Sequence, residues 1–189
     1  MAVKFAEVVD RGRAVLVLVG VVWAVSVVDI ALGGALNRFG IVPRETSGLV
    51  GIPLAPFLHT GFPHLLSNTV PLLVLGAMVA LRGVRAFWWC TVLVTVVGGL
   101  GVWLLARPAA HVGASGVVFG YLGFLISAGW FERKPASIAI AALVLFLYSG
   151  VLWGVLPGDS RMSFEAHLFG LLAGVYGGWL TSRGRRGRR

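Results

Sequence analysis

Six stretches of this chain are apolar for long enough to cross a lipid bilayer as helices, and no other feature narrows its fold so far. They run Ala14 to Leu32, Leu65 to Leu81, Ala86 to Ala106, Ala114 to Phe131, Pro135 to Pro157 and Phe164 to Thr181, each near the roughly 20 residues that the hydrocarbon core demands. In lipid every backbone N–H and C=O must find its partner within the protein, so only helices and closed barrels span. Barrel strands alternate apolar and polar residues, whereas these runs are continuously apolar. The expected fold is an all-α, polytopic six-helix membrane bundle. The chain has 189 residues, 58% of them hydrophobic and 12% charged, with a mean hydropathy of +0.90. Those values exclude a soluble globular fold and leave little chain for a separate soluble domain. Residues 1–182 read as one membrane domain with a short cytoplasmic N-terminal segment, and 183–189 as a basic cytoplasmic tail.

The net charge of +9 reads as membrane topology before it reads as nucleic-acid binding. With both termini in the cytoplasm, twelve of the 16 Lys and Arg residues fall inside: Lys4, Arg11, Arg13, Arg82, Arg85, Arg133, Lys134, Arg183, Arg185, Arg186, Arg188 and Arg189. Outside lie Arg38, Arg44, Arg107 and Arg161. This asymmetry sets the expected orientation by the positive-inside rule. The arginine-rich tail is expected to face anionic membrane lipid, with no nucleic-acid partner. The first run is long for a signal peptide and carries Asp29 near its end, so it is read as a membrane helix. Near the outer end of that helix, Asp29 is expected to reach interfacial water rather than to serve a function of its own. Cys90, the only cysteine, is expected to be a packed core thiol. The apolar stretch Leu49 to Leu58 is too short to span and is expected at the interface or dipping into the bundle.

Polar residues gather at the outward helix ends. His59 and His64 precede the second run, His111 precedes the fourth, and His167 is the fourth residue of the sixth; Asn68 and Ser115 lie at the same depth. At 1.5 Å per residue all fall within about one turn of the outer surface, where a shared polar layer in a membrane bundle marks a functional site. Ser115 sits in Gly113-Ala114-Ser115-Gly116, whose small neighbours leave its hydroxyl approachable. Taken alone that is weak, because a chain with 27 glycines produces such serines in helix contacts. His167 begins a stripe of Gly170, Gly174 and Gly178, and Gly116, Gly120, Gly123 and Ser127 give the fourth run a matching surface. Small residues at four-residue spacing let membrane helices pack closely, which brings Ser115 and His167 face to face.

A hydroxyl beside a neutral imidazole is what nucleophilic catalysis requires. Glu165 lies on another helical face from His167 and Asp159 in the preceding loop, so a dyad is expected, not a triad. His64, Asn68 and the Ser115 backbone N–H are candidate oxyanion donors; the plainer reading of His64 and Asn68 is that they satisfy loop carbonyls. Lys4 and Lys134 are on the opposite side, the chain has no His-Glu-x-x-His sequence for zinc, and Asp29 lacks a facing carboxylate for aspartyl chemistry apart from Glu165. The histidines leave a metal or haem as a minor alternative.

From about Ile41 to Leu180 these residues resemble the rhomboid family of intramembrane serine proteases. The resemblance is carried by Phe57-Leu58-His59 with His64-Leu65-Leu66-Ser67-Asn68, by Gly-x-Ser-Gly at Gly113 to Gly116, and by Ala166-His167-Leu168-Phe169-Gly170 with Gly174. It implies a six-helix core, Ser115 as nucleophile, His167 as general base, and His64 and Asn68 at the oxyanion. It also implies cleavage of transmembrane-helix protein substrates on the outer side of a bacterial plasma membrane, without a cofactor. A substrate helix must unwind before its carbonyl is reachable, so small or helix-breaking residues should be preferred.

Two positions depart from the family pattern. Phe119 stands where members often carry Tyr one turn after the serine, keeping a ring against His167 without a hydroxyl. Leu49-Val50-Gly51-Ile52 replaces a frequent Trp-Arg pair, so the resemblance does not say what anchors that loop. A noncatalytic helix-binding adaptor or chaperone is the alternative function, and a transporter would demand polar residues at mid-membrane.

Overall fold

The apolar runs form helices whose ends are set by residues that cannot continue them. The computed structural model describes residues 5–157 and 162–186; Lys4, Asp159, Arg161, Arg188 and Arg189 lie outside the described residues. The long helices are α1 (Phe5–Ala31), α2 (Phe62–Ala80), α3 (Val84–Leu105), α4 (Ser115–Glu132), α5 (Pro135–Leu152) and α6 (Phe164–Arg186). Pro63 and Pro135 sit in the first turns of α2 and α5, where the missing N–H costs nothing. Gly83 at φ 113° separates α2 from α3, and Arg133 at φ 52° ends α4.

Helices α1 to α5 are long and apolar enough to cross a membrane. The sixth expected span, Phe164 to Thr181, also folds as one helix of 23 residues but does not reach that apolarity among the described residues. Gly170, Gly174, Gly177 and Gly178 leave α6 without side chains along the face it turns to its neighbours, so α6 is suited to close packing. Helix α1 begins at Phe5, well before the expected Ala14.

Helix α4 lies at the centre, with nearly every residue from Val117 to Gly129 buried, and α6 packs along it backbone to backbone. A Cβ added at Gly170, Gly174 or Gly123 would overlap the Gly116, Gly120 or Leu171 carbonyl oxygen respectively. Helix α3 contains a π segment, Val94–Gly98, whose extra residue brings Gly98 against Gly170, 3.3 Å from a Cβ at Gly98 to the Gly170 Cα. Cys90 is fully buried in the apolar core. At the far end from Ser115, Arg82 pairs with the buried Glu132, which also accepts from Ser137 Oγ at 2.6 Å.

The stretch Thr46–Phe57 forms short helical turns that do not span. Ile52 and Ala55 pack inward with Val102 and Ala106, while Leu49, Val50 and Leu54 stay exposed. Its anchor is different from a Trp-Arg pair. Arg44 donates to the Ala106 carbonyl at 2.8 Å, Trp103 Nε1 donates to the Glu45 carbonyl at 2.8 Å, and Ile41 pairs with His111 as an isolated antiparallel bridge. Asp29 is fully buried and accepts from the Leu36 N–H at 2.6 Å and Asn37 Nδ2 at 2.7 Å. It therefore organises the loop after α1 and does not reach water.

Candidate active site

Gly113 turns the chain into α4 at φ +118°, a conformation glycine adopts without strain, and Ser115 is the first residue of the helix. The first intrahelical bond there runs from the Val118 N–H to the Ala114 carbonyl, so the Ser115 N–H precedes the ladder and is free to donate. Ser115, His64, Asn68, Phe119 and His167 all line one cavity of about 600 Å³, open at the end where α2, α4 and α6 begin. Three segments distant in sequence thus supply one wall of polar groups.

Hydrogen bonds to backbone atoms decide which ring nitrogen carries the proton. The Gly154 carbonyl lies 2.8 Å from His167 Nδ1; a carbonyl can only accept, so Nδ1 carries the hydrogen and Nε2 keeps its lone pair. Phe119 stacks on the same imidazole, centroids 4.2 Å apart and planes 7° from parallel, which holds the ring flat. For His64 the logic runs the other way. The Thr60 N–H donates to Nδ1 at 3.4 Å, leaving Nε2 as the N–H. A Cβ at Gly113 would lie 2.8 Å from that Nε2 and 3.8 Å from Ser115 Oγ, so the donor and the hydroxyl flank the same point. Gly113 is therefore what lets His64 approach the serine.

Asn68 gives one amide hydrogen to the His64 carbonyl at 3.0 Å and retains the other for the cavity it lines. Ser115 and His167 share the cavity, and no hydrogen bond joins them among the described residues; such bonds commonly tighten only with substrate present.

Sequence reasoning missed two parts of this arrangement. The orienting group for His167 is the Gly154 backbone carbonyl, which has no side-chain signature. His59 is not a cavity residue: it is fully buried, its Nε2 accepts from the Ala114 N–H at 3.3 Å, and its Nδ1 donates to Ser26 Oγ at 2.9 Å. Ser26 in turn donates to the Phe57 carbonyl at 3.1 Å. This chain of bonds ties α1 to the residue before Ser115.

Burial holds the His59 pKa down to about 4, the neighbouring His64 adding to the shift. Because the folded value lies below the unfolded one of about 6.5, the stabilisation is whole above pH 6.5 and is lost as pH falls toward 4. Thermal unfolding in detergent is expected to shift to lower temperature as pH falls from 6.5 to 4, with a shallower slope in His59→Gln.

Comparison with known proteins gives a consistent picture. The Rhomboid domain model matches residues 46–184. An uncharacterized protein of Mycobacterium tuberculosis is 40% identical over 187 residues, covering 94% of this chain and 78% of the relative; one of Mycobacterium leprae is 38% identical over 187 residues, covering 94% and 74%. Rhomboid-type serine protease 2 of Emericella nidulans is 30% identical over 128 residues, covering 63% of this chain but 24% of that protein. With an all-helical membrane bundle and a family model spanning most of its length, this integral membrane protein belongs to the rhomboid family.

Proposed function

We propose that this chain is an intramembrane serine endopeptidase that cleaves peptide bonds in or beside transmembrane helices. The observation that carries the reading is the Gly154 carbonyl on His167 Nδ1, which leaves an unprotonated Nε2 in the cavity that also holds the Ser115 hydroxyl. Ser115 Oγ attacks the scissile carbonyl while His167 Nε2 takes its proton. The carbonyl oxygen gains negative charge and is met by the Ser115 N–H, His64 Nε2–H and the spare Asn68 amide hydrogen. His167 then returns the proton to the departing amine. Water attacks the Ser115 ester, with His167 as base again, and releases the new carboxylate. No carboxylate is required to hold His167, because a backbone carbonyl fixes its tautomer and Phe119 its plane. The serine protease named among the relatives is consistent with this chemistry. Charge distribution supports cytoplasmic termini and a site opening outward, and the mycobacterial relatives support a bacterial plasma membrane.

The test is cleavage in liposomes of two single-span substrates that differ only in a Gly-Pro or a Leu-Leu pair near the outer helix end. Gly and Pro lower helix stability by about 1 and 3 kcal/mol relative to Ala, so cleavage of the first is expected to be at least about tenfold faster. Equal rates would refute substrate unwinding as the basis of selection, and stable binding with no cleavage of either would favour the adaptor alternative.

A further inference from the structure

The first turn of α6 is held from two sides. On one side His167 meets the Gly154 carbonyl and Phe119. On the other, the loop that leads to Ser115 grips residues 162–165. Arg107 donates through its Nη2 to the Met162 carbonyl at 2.5 Å, and its guanidinium lies 5.7 Å from the Phe164 ring centroid. Glu165 Oε1 faces Arg107 Nε at 3.4 Å and accepts the Arg107 main-chain N–H at 3.3 Å. His111 Nε2 donates to the Arg107 carbonyl at 3.1 Å, so its Nδ1 accepts from the Ser163 hydroxyl at 2.6 Å. Ser163 Oγ also accepts the Ala166 N–H at 3.1 Å and caps α6. Arg107 and His111, in the segment that leads to the nucleophile, thus hold Met162, Ser163, Phe164 and Glu165, in the segment that leads to the base.

Glu165 and His167 are two residues apart, hence about 200° around the helix. A grip on Glu165 therefore acts as the opposing hold to the one on His167. An imidazole about 6 Å from the helix axis moves about 1 Å for every 10° of helix rotation, and a displacement of that size costs up to about 10²-fold in rate. Glu165 is buried and its Oε2 has no hydrogen-bond partner among the described residues. Fold stability alone would favour satisfying or replacing such an oxygen; negative charge in the first turn of a helix offsets part of its cost.

We infer that Arg107 and Glu165 are positioning residues, a clamp that sets the rotation of α6 and thereby the approach of His167 to Ser115. The inference rests on the reading of Ser115 and His167 as nucleophile and base. The clamp touches no reacting atom; it acts through His167.

The experiment measures kcat and KM for one transmembrane substrate in liposomes, per folded molecule, with the full chain. Glu165→Ala is expected to lower kcat by about 10- to 100-fold and to leave KM within about threefold, because substrate binding does not depend on His167 alignment. Glu165→Gln keeps an oxygen that accepts both Arg107 N–H groups and is expected to recover kcat to within about fivefold of the parent. Arg107→Ala combined with Glu165→Ala is expected to be no worse than the more impaired single variant, since a broken clamp cannot be broken twice. Parental kcat in Glu165→Ala, even with a lowered melting temperature, would reduce the pair to a structural contact and overturn the inference; so would losses that multiply. If Glu165→Ala does not fold, Arg107→Lys keeps the charge but not the planar fork, and a parental kcat there overturns the clamp equally. Cleavage by the parent that survives Ser115→Ala refutes the nucleophile reading instead, whereas Ser115-dependent cleavage insensitive to Glu165 removes the clamp alone.

Discussion

Ser115→Ala is expected to lower kcat by at least about 10⁴-fold while leaving the folded protein intact, because it removes the attacking atom and nothing that holds the bundle. The Ser115 hydroxyl is half-buried at the start of α4 and forms no hydrogen bond among the described residues, so its loss strands no polar group. His167→Ala should cost a similar factor by a different route, since without Nε2 the serine proton has no acceptor. The two losses should not multiply. A nucleophile without its base and a base without its nucleophile both leave only what the oxyanion donors and substrate binding provide. Steady-state cleavage rates of the two single variants and the double variant, normalised to folded protein, check this directly.

Gly174→Val is expected to disrupt the bundle itself. A Cβ at Gly174 would overlap the Gly120 carbonyl oxygen and stand 2.9 Å from the Phe124 backbone nitrogen, and backbone cannot swing aside as the tip of a side chain can. The helices must separate along their whole contact, because Gly170 and Gly123 bring the backbones equally close. Interhelix attraction in lipid depends on such close packing, there being no hydrophobic gain from leaving apolar surroundings. Overpacked cores lose about 1–3 kcal/mol even where side chains can yield, so a larger loss is expected here. Activity should vanish with it, since α4 carries Ser115 and α6 carries His167. Unfolding in detergent measures this, with Gly150→Val as the control: a Cβ there meets nothing within 4 Å.

Five membrane spans and the placement of the polar wall were legible in the sequence, for reasons specific to each. Continuous apolar runs have one stable arrangement in lipid, and residues one turn from a helix end stay near the surface whatever the packing. Helix α6 was legible through its glycine stripe against α4. The difference between His59 and His64 was not legible. Both precede or open the same helix, yet one is enclosed by Ser26 and the Ala114 N–H and the other lines the cavity, a distinction made by α1 and by the turn at Gly113. Nor could a sequence show that the group orienting His167 is a carbonyl, since every residue has one. Arg44, Trp103, Arg107 and Glu165 likewise act through partners roughly sixty residues away, on loops whose spacing carries no periodic signal.

The central claim is that Ser115 is an activated nucleophile, and covalent labelling tests it without knowledge of any substrate. Membranes containing the protein are treated with a fluorophosphonate, the protein is digested, and the modified peptide is identified by mass spectrometry. The phosphonyl group is expected on Ser115, absent after Ser115→Ala and at least about 10²-fold slower to form in His167→Ala, where the base is missing. An adduct on any other residue, or labelling that persists in Ser115→Ala, would contradict it.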